Sequence, residues 1–359
     1  MLKPIKLILE DKSEYTGFSF GAETNSTGEV VFNTGMMGYP ETLTDPSYTG
    51  QILTLTFPLI GNYGIPDFDK KDKYGISKFF ESDKIHIKGL IVSEYSEKYN
   101  HWNAKKSLST WLKENNIPAI TGIDTRALTQ KLREKGAMLG KIVYDRAGGK
   151  LPLKDPNEQN LVETVSIDKP KIYKAGPKTI VLVDCGMKNN ILKEFLKRDI
   201  SVIRVPWDYD FFEAKYKFSG VFFSNGPGDP KLLNESIILM QKALQSGIPT
   251  FGICLGSQLM ALAAGAKTYK LKYGHRSQNQ PCKDVDTGRC YITSQNHGFA
   301  VKEKTIPKDW QTWFKNLNDG TVEGVKHKKK PFFAVQFHPE ATPGPVDTNY
   351  LFEEFISLI

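Results

Sequence analysis

Chemistry in this sequence concentrates around one cysteine. Cys254 stands in Gly252-Ile253-Cys254-Leu255-Gly256-Ser257-Gln258, between an apolar run and an Ala/Leu/Met-rich segment. The run reads as a strand and the segment as a helix. The thiol therefore falls on a strand-to-helix turn, with small residues on both sides that permit a sharp backbone. A helix start carries free N–H groups and partial positive charge, which favour the thiolate, the nucleophilic form of cysteine. The N–H of Leu255 can face a developing oxyanion. Gln258, four residues on, shares a helix face with Cys254 and can hold a substrate beside the sulfur. A lone cysteine is by default a small buried hydrophobe, so the setting rather than the residue type makes Cys254 the candidate nucleophile. Cys185, Cys282 and Cys290 lack such a setting. Cys282 and Cys290 do not have zinc-ligand spacing, so no metal is expected.

A thiol nucleophile needs a base. His338 follows the apolar run Phe332–Phe337 and precedes Pro339-Glu340. Proline biases the residue before it toward extended backbone, where residues two apart point to the same side. Glu340 can thus meet His338, fix its tautomer and stabilise the imidazolium, as the third member of a triad does. A histidine at a strand end is otherwise a capped or solvent-facing ring. Glu340 and Cys254 together make catalysis the better reading. The turn Ser224-Asn225-Gly226-Pro227-Gly228-Asp229-Pro230 follows another strand-like run, and its amides can supply a second oxyanion donor. Gly-Pro punctuation also marks plain turns; the position after a parallel strand favours function. Ser294-Gln295-Asn296-His297-Gly298-Phe299 reads as a polar loop after a strand at 290–293. Asn296 and the backbone at Gly298 and Phe299 could hold the α-amino and carboxylate groups of an amino acid.

These pieces need a frame to position them. Thr179–Val183, Ser201–Val205, Val221–Ser224 and Pro249–Ile253 are apolar, strand-like runs. They alternate with helical patterns at 191–196 and 235–245. That alternation predicts an α/β domain with a doubly wound, mainly parallel sheet, whose site lies beyond the carboxyl ends of the strands. The first part also mixes strand-like runs, at 29–32 and 51–56, with a helix that Asp124 caps and Gly136 ends. Between the two, Gly148-Gly149 and Pro152, Pro156, Pro170 and Pro177 interrupt any periodicity. The expected division is an α/β domain at 1–147, a linker at 148–178 and the parallel-sheet domain at 179–359.

A chain of 359 residues suits two domains, and 40% hydrophobic with 25% charged residues is a globular mix. Four cysteines do not make a disulfide framework at this length. The stretch Met1-Leu2-Lys3-Pro4-Ile5-Lys6 leads into no long apolar run, so neither a signal peptide nor a membrane span is expected, and the cytoplasm is. The net charge of +8 comes from scattered lysines apart from Lys326-His327-Lys328-Lys329-Lys330. That run falls where a hairpin tip would lie, and it reads as a solvated turn rather than a nucleic-acid patch.

Taken together, G-I-C-L-G-x-Q at 252–258, N-G-P-G-D-P at 225–230 and H-P-E at 338–340 resemble the class I, triad-type glutamine amidotransferases. The first part narrows the resemblance. Val31-Phe32-Asn33-Thr34-Gly35-Met36-Met37-Gly38-Tyr39, Leu43-Thr44-Asp45-Pro46-Ser47-Tyr48, Ile60-Gly61-Asn62-Tyr63-Gly64 and Gly122-Ile123-Asp124-Thr125-Arg126 look like the small subunits of carbamoyl-phosphate synthetases. So does Gln295-Asn296-His297-Gly298-Phe299. The resemblance covers nearly the whole chain. It implies Cys254, His338 and Glu340 as the triad, and glutamine contacts from Ser47, Gly226, Gly228, Leu255, Gln258, Asn296, Gly298 and Phe299. It also implies ammonia delivery to a large subunit that uses bicarbonate and MgATP, in a heterodimer open to higher assembly. This chain itself would need no cofactor, and it has no G-x-x-x-x-G-K-[ST] run. Ser257, where many small subunits have histidine, and Gly274–Pro281 depart from the pattern common in bacteria. Neither touches the triad.

Two other readings remain open on sequence. Another class I amidotransferase would lack the first-part motifs. A pseudo-glutaminase that only regulates a partner would have no use for an intact Cys254, His338 and Glu340.

Overall fold

Alternating burial sets the first unit. The computed structural model describes residues 3–145 and 147–359; Met1 and Leu2 of the N-terminal stretch, and Arg146, lie outside the described residues. In β1 (Pro4–Leu9), Ile5, Leu7 and Leu9 are buried while the residues between them face outward, the period-2 signature of a one-sided strand. With β2 (Glu14–Ser19), β3 (Ser26–Asn33), β4 (Gln51–Leu55), β5 (Gly89–Ile91), β6 (Ala119–Thr121) and β7 (Met138–Val143), it closes a barrel in the order β1-β7-β3-β4-β5-β6-β2. Closure leaves no unpaired sheet edge. The central run β3-β4-β5-β6 is parallel. Besides a single helical turn at Tyr39–Leu43, the unit carries α1 (Leu108–Glu114) and α2 (Thr125–Lys135). The side chain of Asp124 accepts from the N–H of Ala127 at 2.9 Å, and Gly136 stops α2 at φ 109°, as the sequence predicts. A core of Phe20, Val31, Tyr48, Leu53, Leu90, Leu108 and Trp111 fills this unit.

The second unit is built on one ten-stranded sheet. Its elements are β8 (Lys171–Tyr173), β9 (Lys178–Asp184), α3 (Asn189–Leu196), β10 (Ile200–Pro206), β11 (Gly220–Phe223), α4 (Asn234–Ser246), β12 (Thr250–Ile253), α5 (Leu255–Ala263), β13 (Thr268–Asp284), β14 (Cys290–Val301), β15 (Trp310–Asn316), β16 (Val322–His327), β17 (Phe332–Val335) and α6 (Leu351–Ser357). The order is β8-β10-β9-β11-β12-β17-β16-β14-β13-β15. The run β10-β9-β11-β12-β17 is parallel; β8 and the strands beyond β17 pair antiparallel. The parallel strands are buried on both faces, which is why they read as continuous apolar runs. Val181, Val183, Val221, Phe223, Leu255, Leu259 and Met260 share one core. No helix of the described residues is long and apolar enough to cross a membrane.

Two features differ from the sequence reading. The compact units divide between Gln159 and Asn160, so residues 148–178 do not stand apart as a linker. Asn157 donates to Glu29 in the first unit, while β8 joins the sheet of the second through β10. Short strands and turns of this kind carry no periodicity to betray them. Residues 294–299 are strand, not loop: they continue β14 and pair with β13. Ser294, Gln295, Asn296 and His297 are buried, so the polar run that looked like a loop is an interior polar strand.

Candidate active site

Loops at the carboxyl ends of β9, β11, β12 and β17 supply the site. Cys254 joins β12 to α5 with φ 54° and ψ −103°, a region that costs a non-glycine residue on the order of 1–3 kcal/mol. Its surroundings hold it there. Its N–H donates to the carbonyl of Val335 at 2.8 Å, and the N–H of Gly256 donates to that of Ser224 at 3.1 Å. A Cβ on Gly252 would sit 2.6 Å from the Gly256 oxygen, and one on Gly256 2.3 Å from the Phe223 oxygen. The spacing of those two glycines is what lets the turn pack onto β11. Leu255 opens α5, so its N–H is among those with no partner inside the helix. The thiol is 2% exposed and lies 3.7 Å from the carbonyl oxygen of Asn296.

β17 stops at Val335, earlier than its apolar run suggests, and Gln336–Glu340 forms the loop beyond it. The N–H of His338 donates to the carbonyl of Ser294 at 2.9 Å. Its Nδ1 lies 2.6 Å from Oε1 of Glu340, which fixes the hydrogen on Nδ1. Nε2 makes no hydrogen bond among the described residues. Burial opposes charge on this ring, yet Glu340 and the nearby Cys254 thiol raise its pKa to about 10. Burial likewise opposes the Glu340 carboxylate, but Lys188 and His338 hold its pKa down to about 2. Glu340 is thus held as a carboxylate, placed to stabilise the imidazolium that forms when the ring takes a proton at Nε2.

Lys188 was missed from sequence. It follows β9, and its Nζ donates to Glu340 Oε1 at 3.0 Å and to the carbonyl of Ala341 at 2.6 Å, fully inside the protein. Asn190, in the first turn of α3, donates to the Glu340 carbonyl. Its place after a parallel strand was the available signal, since such ends carry sites in these sheets.

The remaining residues distribute as follows. Gly226 packs against Leu255, since a Cβ there would be 2.8 Å from its Cδ2; Gly228, φ 87°, follows on the same loop beside Leu161. Gln258 donates through Nε2 to the Phe299 carbonyl at 2.9 Å and to Oε1 of Gln336 at 3.0 Å. Its amide therefore ties α5 to β14 as well as standing one turn below the sulfur. Asn296 and Phe299 thus meet the site through their carbonyls, while Gly298 lies between them on β14, next to Arg276. Ser47 belongs to the first unit. There it sits in the turn Pro46–Tyr48, with its N–H on the Asp45 carboxylate at 2.9 Å.

A buried thiol on a strained elbow, an imidazole ordered by a carboxylate, and helix-start N–H groups suit attack on a carbonyl and storage of the acyl group on sulfur. Comparisons with known proteins agree with that chemistry. The profile of the family "Glutamine amidotransferase class-I" matches residues 181–358, and "Carbamoyl-phosphate synthase small chain, CPSase domain" matches residues 7–142. The multifunctional protein CAD of Squalus acanthias is 52% identical over 98% of this chain and 16% of its own length. The mitochondrial carbamoyl-phosphate synthase [ammonia] of Homo sapiens is 49% identical over 98% of this chain and 23% of its own. The multifunctional protein pyr1-3 of Dictyostelium discoideum is 49% identical over 98% of this chain and 17% of its own. The chain spans less than a quarter of the length of these relatives.

Proposed function

From the premise that the chain belongs to the family of carbamoyl-phosphate synthase small chains, with their class-I glutamine amidotransferase domain, we propose that it hydrolyses glutamine and passes the ammonia to a synthetase partner. The observation that carries the reading is the Cys254 elbow beside the ordered His338–Glu340 pair. His338 Nε2 takes the thiol proton, and Cys254 sulfur bonds to the glutamine carboxamide carbon. The oxyanion is met by the Leu255 N–H and the Gly226–Gly228 loop. As the C–N bond breaks, the His338 imidazolium protonates the leaving nitrogen and ammonia departs. His338 then takes a proton from water, which attacks the thioester carbonyl. Glutamate leaves and the thiol is restored. Glu340 keeps the ring oriented and stabilises its charge, and Lys188 holds Glu340. Ser47, Gln258, Asn296, Gly298 and Phe299 are assigned to glutamine binding.

The partner proposed is a synthetase large subunit or region, which would supply the bicarbonate and MgATP chemistry; this chain would contribute none of it. Relatives in which a matching segment makes up less than a quarter of a longer chain support that pairing. The test is glutamate release from glutamine by wild type and Cys254→Ser, with and without the synthetase, bicarbonate and MgATP. Cys254-dependent release that rises with the partner and its substrates is expected. Release unchanged in Cys254→Ser would remove the nucleophile assignment, and indifference to the partner would remove the synthetase.

A further inference from the structure

Behind the strand that carries Asn296 and Phe299, buried acceptor atoms converge with too few hydrogens to serve them. His297 on β14 holds Nδ1 2.8 Å from the carbonyl oxygen of Phe299. A carbonyl only accepts, so the hydrogen sits on Nδ1. In a ring this deeply buried the neutral form is favoured, which leaves Nε2 a bare lone pair. Nε2 faces the carboxamide oxygen of Gln295 at 3.2 Å and Oε2 of Glu323 at 3.9 Å. Glu323, on β16, is fully buried, and its Oε2 has no hydrogen-bond partner. His275, on β13, closes the group from the other side. Its Nδ1 is 3.0 Å from the Gln295 oxygen and 3.2 Å from Oε1 of Glu323. Asn316 donates to Glu323 Oε1 at 3.4 Å.

A proton on His275 serves Gln295 and Oε1 of Glu323, but it reaches neither His297 Nε2 nor Glu323 Oε2. A proton on Glu323 does not bridge to His297 either, because 3.9 Å is beyond a hydrogen bond. Buried acceptors without a donor are costly, and a cation is what satisfies them together. The ligand atoms of His275, His297 and Glu323 all lie within 4.8 Å of one another. Atoms bound 2.0–2.2 Å from a tetrahedral ion stand roughly 3.3–3.5 Å apart, so small side-chain movements complete the shell.

We propose that His275 Nδ1, His297 Nε2 and the Glu323 carboxylate bind one divalent transition-metal ion of the zinc class, with the Gln295 carboxamide oxygen as fourth ligand. Both rings are already oriented for it. The outer nitrogen of His275 meets Oδ2 of Asp319 at 2.9 Å, and that of His297 meets the Phe299 carbonyl. Acceptors on the outer nitrogens turn the inner lone pairs toward the metal, the arrangement found around metal-bound imidazoles. Charge also balances: a dication is matched by Glu323 and Asp319, with both rings neutral. Two imidazoles and one carboxylate favour zinc over magnesium or calcium, which prefer oxygen.

The Phe299 carbonyl also accepts from Gln258, one turn below Cys254. Occupancy of the cluster should therefore alter glutamine KM, a consequence that rests on the glutaminase reading. Metal binding itself does not rest on it. The test uses the full chain carrying Cys254→Ser and Cys290→Ser, which removes the candidate nucleophile and the exposed thiol as competing ligands, stripped with chelator and titrated with Co²⁺ and then Zn²⁺. One equivalent of Co²⁺ should give the visible absorption of a tetrahedral nitrogen/oxygen site without a thiolate charge-transfer band, and Zn²⁺ should displace it. Glu323→Gln and His275→Asn should each weaken binding at least about tenfold. No binding, a thiolate band, or affinity unchanged by both substitutions would each overturn the site. Should those two variants not fold, the spectrum of the chain carrying only Cys254→Ser and Cys290→Ser, whose cluster is intact, still decides.

Discussion

Gly226→Ala tests the oxyanion loop directly. A Cβ at Gly226 would lie 1.9 Å from the carbonyl oxygen of Cys185. That oxygen is backbone at the carboxyl end of β9, and the Cys185 N–H is held by Ser224 Oγ at 2.9 Å, so no rotamer change relieves the clash. Non-bonded atoms need roughly 3.5 Å, so the loop must retreat by more than about 1 Å. A displacement of about 1 Å in a positioning element costs on the order of 10²-fold in rate. That is about 2.7 kcal/mol, the size seen when one oxyanion donor is lost. The assay is kcat for glutamate release at saturating glutamine, with thermal unfolding followed in parallel. Gly228→Ala is the control. It sits at φ 87° with its nearest neighbour, Leu161, at 3.7 Å, so alanine adds about 1–2 kcal/mol of backbone strain without a clash. Its rate should fall less than that of Gly226→Ala. A folded Gly226→Ala with kcat within about threefold of wild type would refute the placement of the loop at the oxyanion.

Cys254→Ser should lower glutamate release by at least about 10³-fold, while carbamoyl phosphate formation from added ammonia by the proposed synthetase pairing persists; paired product assays check both. Glu340→Gln should cut kcat by about 10²- to 10⁴-fold with little change in KM, because the ring loses its orienting charge rather than a substrate contact; steady-state kinetics separate the two. Glu340 has its folded pKa lowered from 4.5 to about 2, so its stabilisation is complete above 4.5 and is lost as pH falls toward 2. His338 has its pKa raised from 6.5 to about 10, so its stabilisation is complete below 6.5 and is lost as pH rises through 10. Lys188→Met removes one support of the Glu340 carboxylate, so acid unfolding should begin at higher pH than in wild type; Tm recorded across acid pH checks it. Asp124→Ala should cost about 1 kcal/mol in a urea titration through loss of the α2 cap.

The parallel half of the second unit was legible because burial on both faces writes itself as continuous apolar runs, and Gly252 and Gly256 bracket the turn between one such run and a helix. The caps of α2 were legible for a related reason: Asp124 and Gly136 act through their own backbone neighbourhood. The His338–Glu340 contact followed from a two-residue spacing in extended chain. Lys188 did not announce itself. Its partner lies far along the sequence, and a lysine after a strand looks like any solvated lysine until the sheet brings Glu340 onto it.

β14 shows why polarity misleads most where it is most consequential. A strand is read from alternation of apolar and polar residues, and that rule presumes that polar side chains face water. Ser294, Gln295, Asn296 and His297 are instead buried, with partners on β13, at Cys254 and in the His338 loop. The free energy that orders this strand comes from pairwise hydrogen bonds between residues distant in sequence, which leave no local periodicity. Zinc motifs are legible when paired ligands recur a few residues apart on one turn. Here His275, His297 and Glu323 come from three different strands, and only the antiparallel stacking of β13, β14 and β16 sets their nitrogens and carboxylate together. The same polar strand that defeats a periodicity argument lends carbonyl oxygens to Cys254 and Gln258 on one side and an imidazole to the cluster on the other. Its burial follows from standing between two groups of buried polar partners, which an apolar strand could not satisfy.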